Sequence, residues 1–190
     1  MPKKTFIITI LAIFAALGHF AFADYHYASH EGSNEYPYTS WATAADSIQL
    51  AVDAAEAGDT IYVGAGVWEQ YGIQLREYKS LIGMGIDSTI FRKDTTDWID
   101  YIFPYSFSLI EDFTFDGIEP EDGRVRAISP AYQDSLIRIK NNKFINNRAA
   151  IIGNFGAIIT NNIFAENKYA INCPLGNNDI LLRSTLLSQH

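Results

Sequence analysis

The sequence predicts an all-β solenoid, a right-handed parallel β-helix with an N-terminal capping α-helix. Three observations predict it: a single amphipathic helix near the start, short apolar runs punctuated by Gly, Asn and Asp, and apolar columns that recur at about 20 residues.

The chain opens on Lys3 and Lys4, followed by an apolar run from Phe6 to Leu17 and the small-x-small triplet Ala21-Phe22-Ala23. That order is the pattern of a secretory signal peptide over residues 1–23, cleaved before Asp24. The run is shorter than the roughly 20 apolar residues a membrane span requires, so no stable span is expected after cleavage. The expected localisation is secreted or cell surface, extracellular or periplasmic.

Loss of Lys3 and Lys4 takes the formal net charge from −8 to −10. An acidic chain is poorly suited to a polyanion such as nucleic acid, which is set aside as a partner. The one cysteine, Cys173, rules out an internal disulfide framework, so an exported fold must be held by its core.

Residues 24–59 form the N-terminal segment and capping helix. From Asp46 to Ala57, Ile48, Ala51, Val52 and Ala55 share one helical face, and Gly58 stands just beyond as a stop. Thr60-Ile61-Tyr62-Val63 then reads as a short strand between glycine-bearing turns.

Residues 60–190 are expected to be β-helix coils. LIEDFTFDG from Leu109, RIKNNKFINN from Arg138, IITNNIFAEN from Ile158 and ILLRSTLLSQ from Ile180 superpose. One column holds Ile110, Ile139, Ile159 and Leu181, and a second holds Phe115, Phe144, Phe164 and Leu186, at spacings of 29, 20 and 22 residues. A third pairs Ile151 with Ile171. Three apolar tracks per repeat mean three short strands per coil, each stacked on its counterpart in the next. Asn141, Asn142, Asn146, Asn147, Asn161, Asn162 and Asn167 suit the turns, because Asn tolerates the left-handed region and stacked Asn side chains bond from coil to coil. Residues 117–134, which stretch one spacing to 29, are expected to project as a loop. The strand pattern reaches Leu186 without a cap, so the solenoid is expected to be truncated at its C-terminus.

The run from Tyr36-Pro37-Tyr38 through Ala51-Val52-Asp53-Ala54-Ala55 to Gly58-Asp59-Thr60-Ile61-Tyr62-Val63 resembles the opening of secreted bacterial β-helix proteins of the pectin lyase-like superfamily. The NNxF segments resemble their coil repeats. Gly66-Val67-Trp68 stands where Gly-Thr-Tyr is common, a conservative departure. The resemblance implies contact with a polysaccharide or cell-surface glycan, by lyases and hydrolases or by surface and adhesive modules.

The site residues discriminate among these only in part. A lyase needs a cation or a positive side chain against a uronate, and a glycosidase needs converging carboxylates. Nine acidic residues lie between Asp94 and Asp122. Asp112, Asp116, Glu119 and Asp122 are the candidates for a hard cation, Ca²⁺, against the plainer reading of a solvated acidic face. No carboxylate recurs along the coils at the Asp112 position, where Asn141, Asn161 and Arg183 follow. Arg138 and Lys140 flank the inward Ile139 and so point outward, where they would meet an acidic sugar. Trp98 and Tyr132 offer flat faces to pyranose rings. The catalytic residues, if there are any, are not identifiable. The expectation is therefore an exported carbohydrate-associated module, with the N-terminal part of a polysaccharide lyase or glycoside hydrolase as one alternative and a structural stalk or adhesin as another.

Overall fold

The structure, a computed structural model, describes residues 23–95, 97–118, 124–130, 136–153, 156–172 and 180–183, with 186–188 as backbone alone. The expected signal peptide lies outside the described residues, apart from Ala23.

Among the described residues eighteen strands, numbered in chain order, form three sheets. The first holds β1 (Tyr25–Ala28), β2 (Thr60–Val63), β5 (Ser80–Gly83), β8 (Leu109–Glu111), β11 (Ile137–Lys140), β14 (Ala157–Thr160) and β17 (Ile180–Arg183). The second holds β3 (Gly66–Trp68), β6 (Thr89–Arg92), β9 (Thr114–Asp116), β12 (Lys143–Ile145), β15 (Ile163–Ala165) and β18 (Leu186–Ser188). The third holds β4 (Ile73–Leu75), β7 (Ile99–Pro104), β10 (Val125–Ile128), β13 (Ala149–Ile152) and β16 (Tyr169–Asn172).

Every pairing is parallel. From β2 onwards the chain visits the three sheets in rotation, so strands three apart in sequence pair, and β1 covers the free edge of β2. A stack of parallel strands in three sheets with one helix is consistent with a β-helix.

In-register stacking places like side chains over one another. Ile61, Leu81, Ile110, Ile139 and Ile159 form one fully buried column. Trp68, Phe91, Phe115, Phe144 and Phe164 form another. The rings of Phe91, Phe115, Phe144 and Phe164 lie nearly parallel, with successive centroids 5.1, 5.1 and 4.9 Å apart. That is close to the strand spacing, so the backbone ladder itself holds the rings in offset stacks. Ile73, Ile102, Ile128, Ile151 and Ile171 line the third sheet, with Ile151 over Ile171 as expected.

The last register differs from expectation. Ile159 pairs with Leu182, not Leu181, and Phe164 pairs with Leu187, not Leu186. Ile180-Leu181-Leu182 and Leu186-Leu187 are continuous apolar runs, in which alternation cannot single out the inward residue. The expected loop over 117–134 is also interrupted: Val125–Ile128 is a strand of the third sheet, paired with β7 and β13.

Turns between the first and second sheets follow the Asn pattern. Asp112, Asn141 and Asn161 have φ of 66, 56 and 55°, and Asn146 and Glu166 both have 56° at the next corner. The residues after them turn inward and build two ladders. Asn162 Oδ1 accepts the backbone N–H of Asn142 at 2.8 Å and its side-chain Nδ2 at 3.2 Å, while Asn142 Oδ1 accepts the N–H of Phe113 at 3.0 Å. Asn147 and Asn167 repeat the arrangement at the other corner, at 3.0 and 2.9 Å. Backbone groups that the corners strip from the sheets are thereby satisfied inside the protein.

The helix, α1 (Ile48–Ala54), is shorter than the expected 46–57 and buries Ile48, Ala51 and Val52. Its ends are closed by side chains from the strand stack. Gln70 Oε1 accepts the N–H of Ile48 at 2.8 Å, and the buried Lys79 Nζ donates to the carbonyl of Val52 at 2.9 Å. These supply partners for terminal backbone groups that a short helix leaves open, and α1 packs against β1, β2 and β4.

Candidate functional site

At the corner leading into the first sheet, Tyr78, Phe107 and Leu136 each stand two residues before the in-register residues Ser80, Leu109 and Arg138. All three have left-handed backbones, with φ of 61, 65 and 56°. The conformation turns the following residues inward: Lys79, Ser108 and Ile137 are buried. Ser80, Leu109 and Arg138 then donate their N–H groups to the carbonyls of Asp59, Lys79 and Ser108, at 3.0, 3.1 and 2.9 Å.

Bulky side chains rarely occupy this region, which costs on the order of 1–2 kcal/mol per residue. Here the cost is not offset by burial, because Tyr78, Phe107 and Leu136 are 54, 38 and 52 % exposed. Tyr78 and Phe107 stack face to face, with centroids 4.7 Å apart and planes at 7°. The three line a shallow groove of about 520 Å³ together with Gly58, Ser80, Arg138 and Ile158.

Arg138 is exposed on β11 and makes no ion pair among the described residues. Lys140, two residues on, is held by Glu111 at 2.6 Å, and Glu111 also accepts Asn141 Nδ2 at 2.9 Å. The Glu111 hydrogen bond and charge raise the Lys140 pKa above its ordinary value, keeping the ammonium charged. Beside them the Asp112 carboxyl is pushed up, first by burial and then by the charge of Glu111, against opposing contributions from Asn141 and Lys140.

The two described Ca²⁺ candidates do not share a ligand set. Asp116 is buried in β9, where its Oδ2 accepts Arg92 Nε and Nη2 at 2.9 and 2.7 Å and its Oδ1 accepts Asn146 Nδ2 at 3.2 Å and Ile118 N–H at 3.0 Å. Asp112 sits at a corner with Lys140 and Asn141 close by. Among the described residues no three His, Cys, Asp or Glu side chains converge as a metal site. Glu119, Asp122 and Tyr132 lie outside the described residues.

Trp98 is 54 % exposed ahead of β7, and the Arg148 guanidinium stands 4.9 Å from its ring centroid. It is on the third-sheet side, apart from the groove, so Arg138 and Trp98 do not belong to one surface. The sequence did not single out Tyr78, Phe107 or Leu136, since each follows a different local context. Their common offset from the strand register is the signal that would have found them.

The fold and surface together define a class, a stack of parallel strands in three sheets with an apolar groove beside the seven-stranded one. Comparison with protein-family models, with curated proteins and with solved structures finds no match for this chain. No described helix is long and apolar enough to cross a membrane.

Proposed function

We propose that the chain is an exported right-handed parallel β-helix module of the pectin lyase-like type that binds carbohydrate through the Tyr78–Phe107–Leu136 groove. Right-handedness follows from the strong preference of parallel crossovers for that hand. The observation that carries the reading is the exposed, left-handed row of Tyr78, Phe107 and Leu136. It is costly to maintain and presents the apolar surface on which the C–H face of a pyranose packs, with Arg138 and Ser80 in the same groove as hydrogen-bond donors.

Binding is favoured over hydrolysis by the state of the buried carboxylates. Among the described residues Asp59 is engaged by His26 and two backbone N–H groups, Asp100 by Arg126 and Ser129, and Asp116 by Arg92, so none of the three stands ready as acid or base.

Affinity electrophoresis through a panel of neutral and acidic polysaccharides tests the proposal. At least one should retard the secreted protein, and Tyr78→Ala with Phe107→Ala should abolish the retardation while leaving the thermal transition in place. Equal mobility in every polysaccharide would overturn it. Mass spectrometry of the exported protein should find Asp24 at its N-terminus; retention of residues 1–23 would remove the export reading.

A further inference from the structure

A second groove, of about 800 Å³, lies at the corner between the first and second sheets, on the N-terminal levels of the stack. Trp41 and His30, from the segment between β1 and α1, line it with Glu31, Gly64, Met84 and Ser88. Local packing fixes both rings. His30 stacks on the buried Trp68 with centroids 4.0 Å apart, and a Cβ at Gly66 would stand 2.9 Å from the His30 ring, so glycine there is what admits it. Trp41 meets Tyr27 edge-on at 4.7 Å, and Tyr27 stacks in turn on Tyr62 at 5.7 Å. Trp41 and Met84 nevertheless remain 42 and 53 % exposed. An exposed indole already held by its neighbours offers a ligand contact area at little ordering cost.

Charge decides the kind of ligand. In stacked coils, order along the chain becomes order along the stack, so a run of like charge in the sequence becomes a charged end of the molecule. From Asp24 to Leu75 there are eight Asp and Glu and no Lys or Arg, whereas from Arg76 onwards fourteen acidic residues stand against twelve basic ones. Glu31 is exposed in the groove and makes no ion pair among the described residues, and the same holds for Asp87, next to Ser88 in the chain. No Lys or Arg is among the described lining residues. An aromatic ring, a thioether and carboxylates without counter-charges suit an ammonium or guanidinium and disfavour an anion.

We propose that this groove binds a basic polypeptide, with one Lys or Arg side chain on the Trp41 ring and Glu31 as its counter-charge. The groove is larger than a lone ammonium or guanidinium fills, and the carboxylates of this end of the molecule favour a run of cations. The occupant is therefore a chain of basic residues and not a free amine. The site shares no residue with the Tyr78–Phe107–Leu136 groove and stands whether or not that groove binds carbohydrate.

The test is fluorescence anisotropy of dye-labelled hexa-arginine and hexalysine peptides, titrated with the whole protein at low salt and again at rising NaCl. At least one peptide should bind, with affinity falling as salt rises, and a Gly-Ser peptide of equal length should not. Met84→Lys, which puts a cation into the groove at an exposed position, should weaken binding about tenfold, while Met84→Leu leaves it unchanged. Trp41→Ala should weaken it about fivefold. Glu31→Gln should weaken it about threefold, and Glu56→Gln, which removes the same charge ahead of β2 and outside the groove, should leave it unchanged. Tyr78→Ala should also leave it unchanged. No binding by the parent, undiminished binding by Met84→Lys, equal losses in Glu31→Gln and Glu56→Gln, or equal binding of the Gly-Ser peptide would overturn the proposal. Glu31 and Met84 reach solvent, so unchanged thermal transitions in their variants separate lost binding from lost fold even where Trp41→Ala loosens its packing on Tyr27.

Discussion

The buried ring of His26 stands 3.3 Å from the Asp59 carboxylate, with its other nitrogen donating to the carbonyl of Pro37 at 2.8 Å. Asp59 also accepts the N–H groups of Asp24 and Glu56 at 2.8 and 2.7 Å, so one carboxylate ties β1, the end of the helical segment and the first coil together. Burial pushes its pKa up, but these donors outweigh burial and hold it below 3.8. A carboxyl whose folded pKa is depressed stabilises the fold above its unfolded value, and that contribution is lost as pH falls through the folded one. Asp59→Asn should cost about 1–3 kcal/mol at pH 7. The gap to the parent should narrow below pH 3.8, as measured by urea denaturation at both acidities.

Asn162 offers a sharper test of the ladders. Its Nδ2 donates to the carbonyls of Ile139 and Thr160 at 2.8 and 3.0 Å, and its Oδ1 takes the N–H of Asn142. Asn162→Ala leaves a buried donor and acceptor unpaired and should cost about 2 kcal/mol or more. Asn162→Asp should be worse, since it keeps the acceptor, loses both donations and buries a charge. Chemical denaturation of the three proteins ranks them.

The ladders show what the sequence made legible. NNxF repeated at Asn141 and Asn161 marks turn, ladder and core residue in one motif, so the columns through Ile139 and Phe144 could be aligned by eye. Where the motif lapses, so does the reading. Val125–Ile128 has no Asn ahead of it and was expected to be loop, and the Leu-rich end slipped by one residue. The groove was hidden for another reason: Tyr78, Phe107 and Leu136 share a backbone conformation and a register, neither of which leaves a residue-type signature. Arg138 was legible as outward-facing because strand alternation alone dictates it.

Phe144 sits between Phe115 and Phe164 in the aromatic column, fully buried. Phe144→Ala should cost about 3–5 kcal/mol through lost contact and the cavity left behind. Phe144→Leu should recover much of it, and thermal melts of both decide whether the column is a packing unit.

Asp112 shares its corner position with Asn141 and Asn161, and its carboxyl pKa is raised by burial and then by Glu111. A group whose folded pKa is raised contributes stability below its unfolded value and loses it as pH rises through the folded one. Asp112→Asn should therefore stabilise the protein at pH 7, by about 0.5 kcal/mol, with the left-handed backbone retained. The advantage should vanish below pH 3.8, where the native carboxyl is also neutral. Melting temperatures at the two acidities check the sign.

Because Asn142 stacks on Asn162 and Phe144 on Phe164, the chain is nearly invariant to a shift of 20 residues in this stretch. Removing Lys143 through Asn162 would join Asn142 to Ile163, bring Phe164 beneath Phe115, Ile171 beneath Ile128 and Leu182 beneath Ile139, and leave each surviving strand a neighbour of matching kind. In such an architecture length is a free parameter: whole rungs can be gained or lost by recombination between NNxF tracts, while an insertion of any other size must leave as a loop.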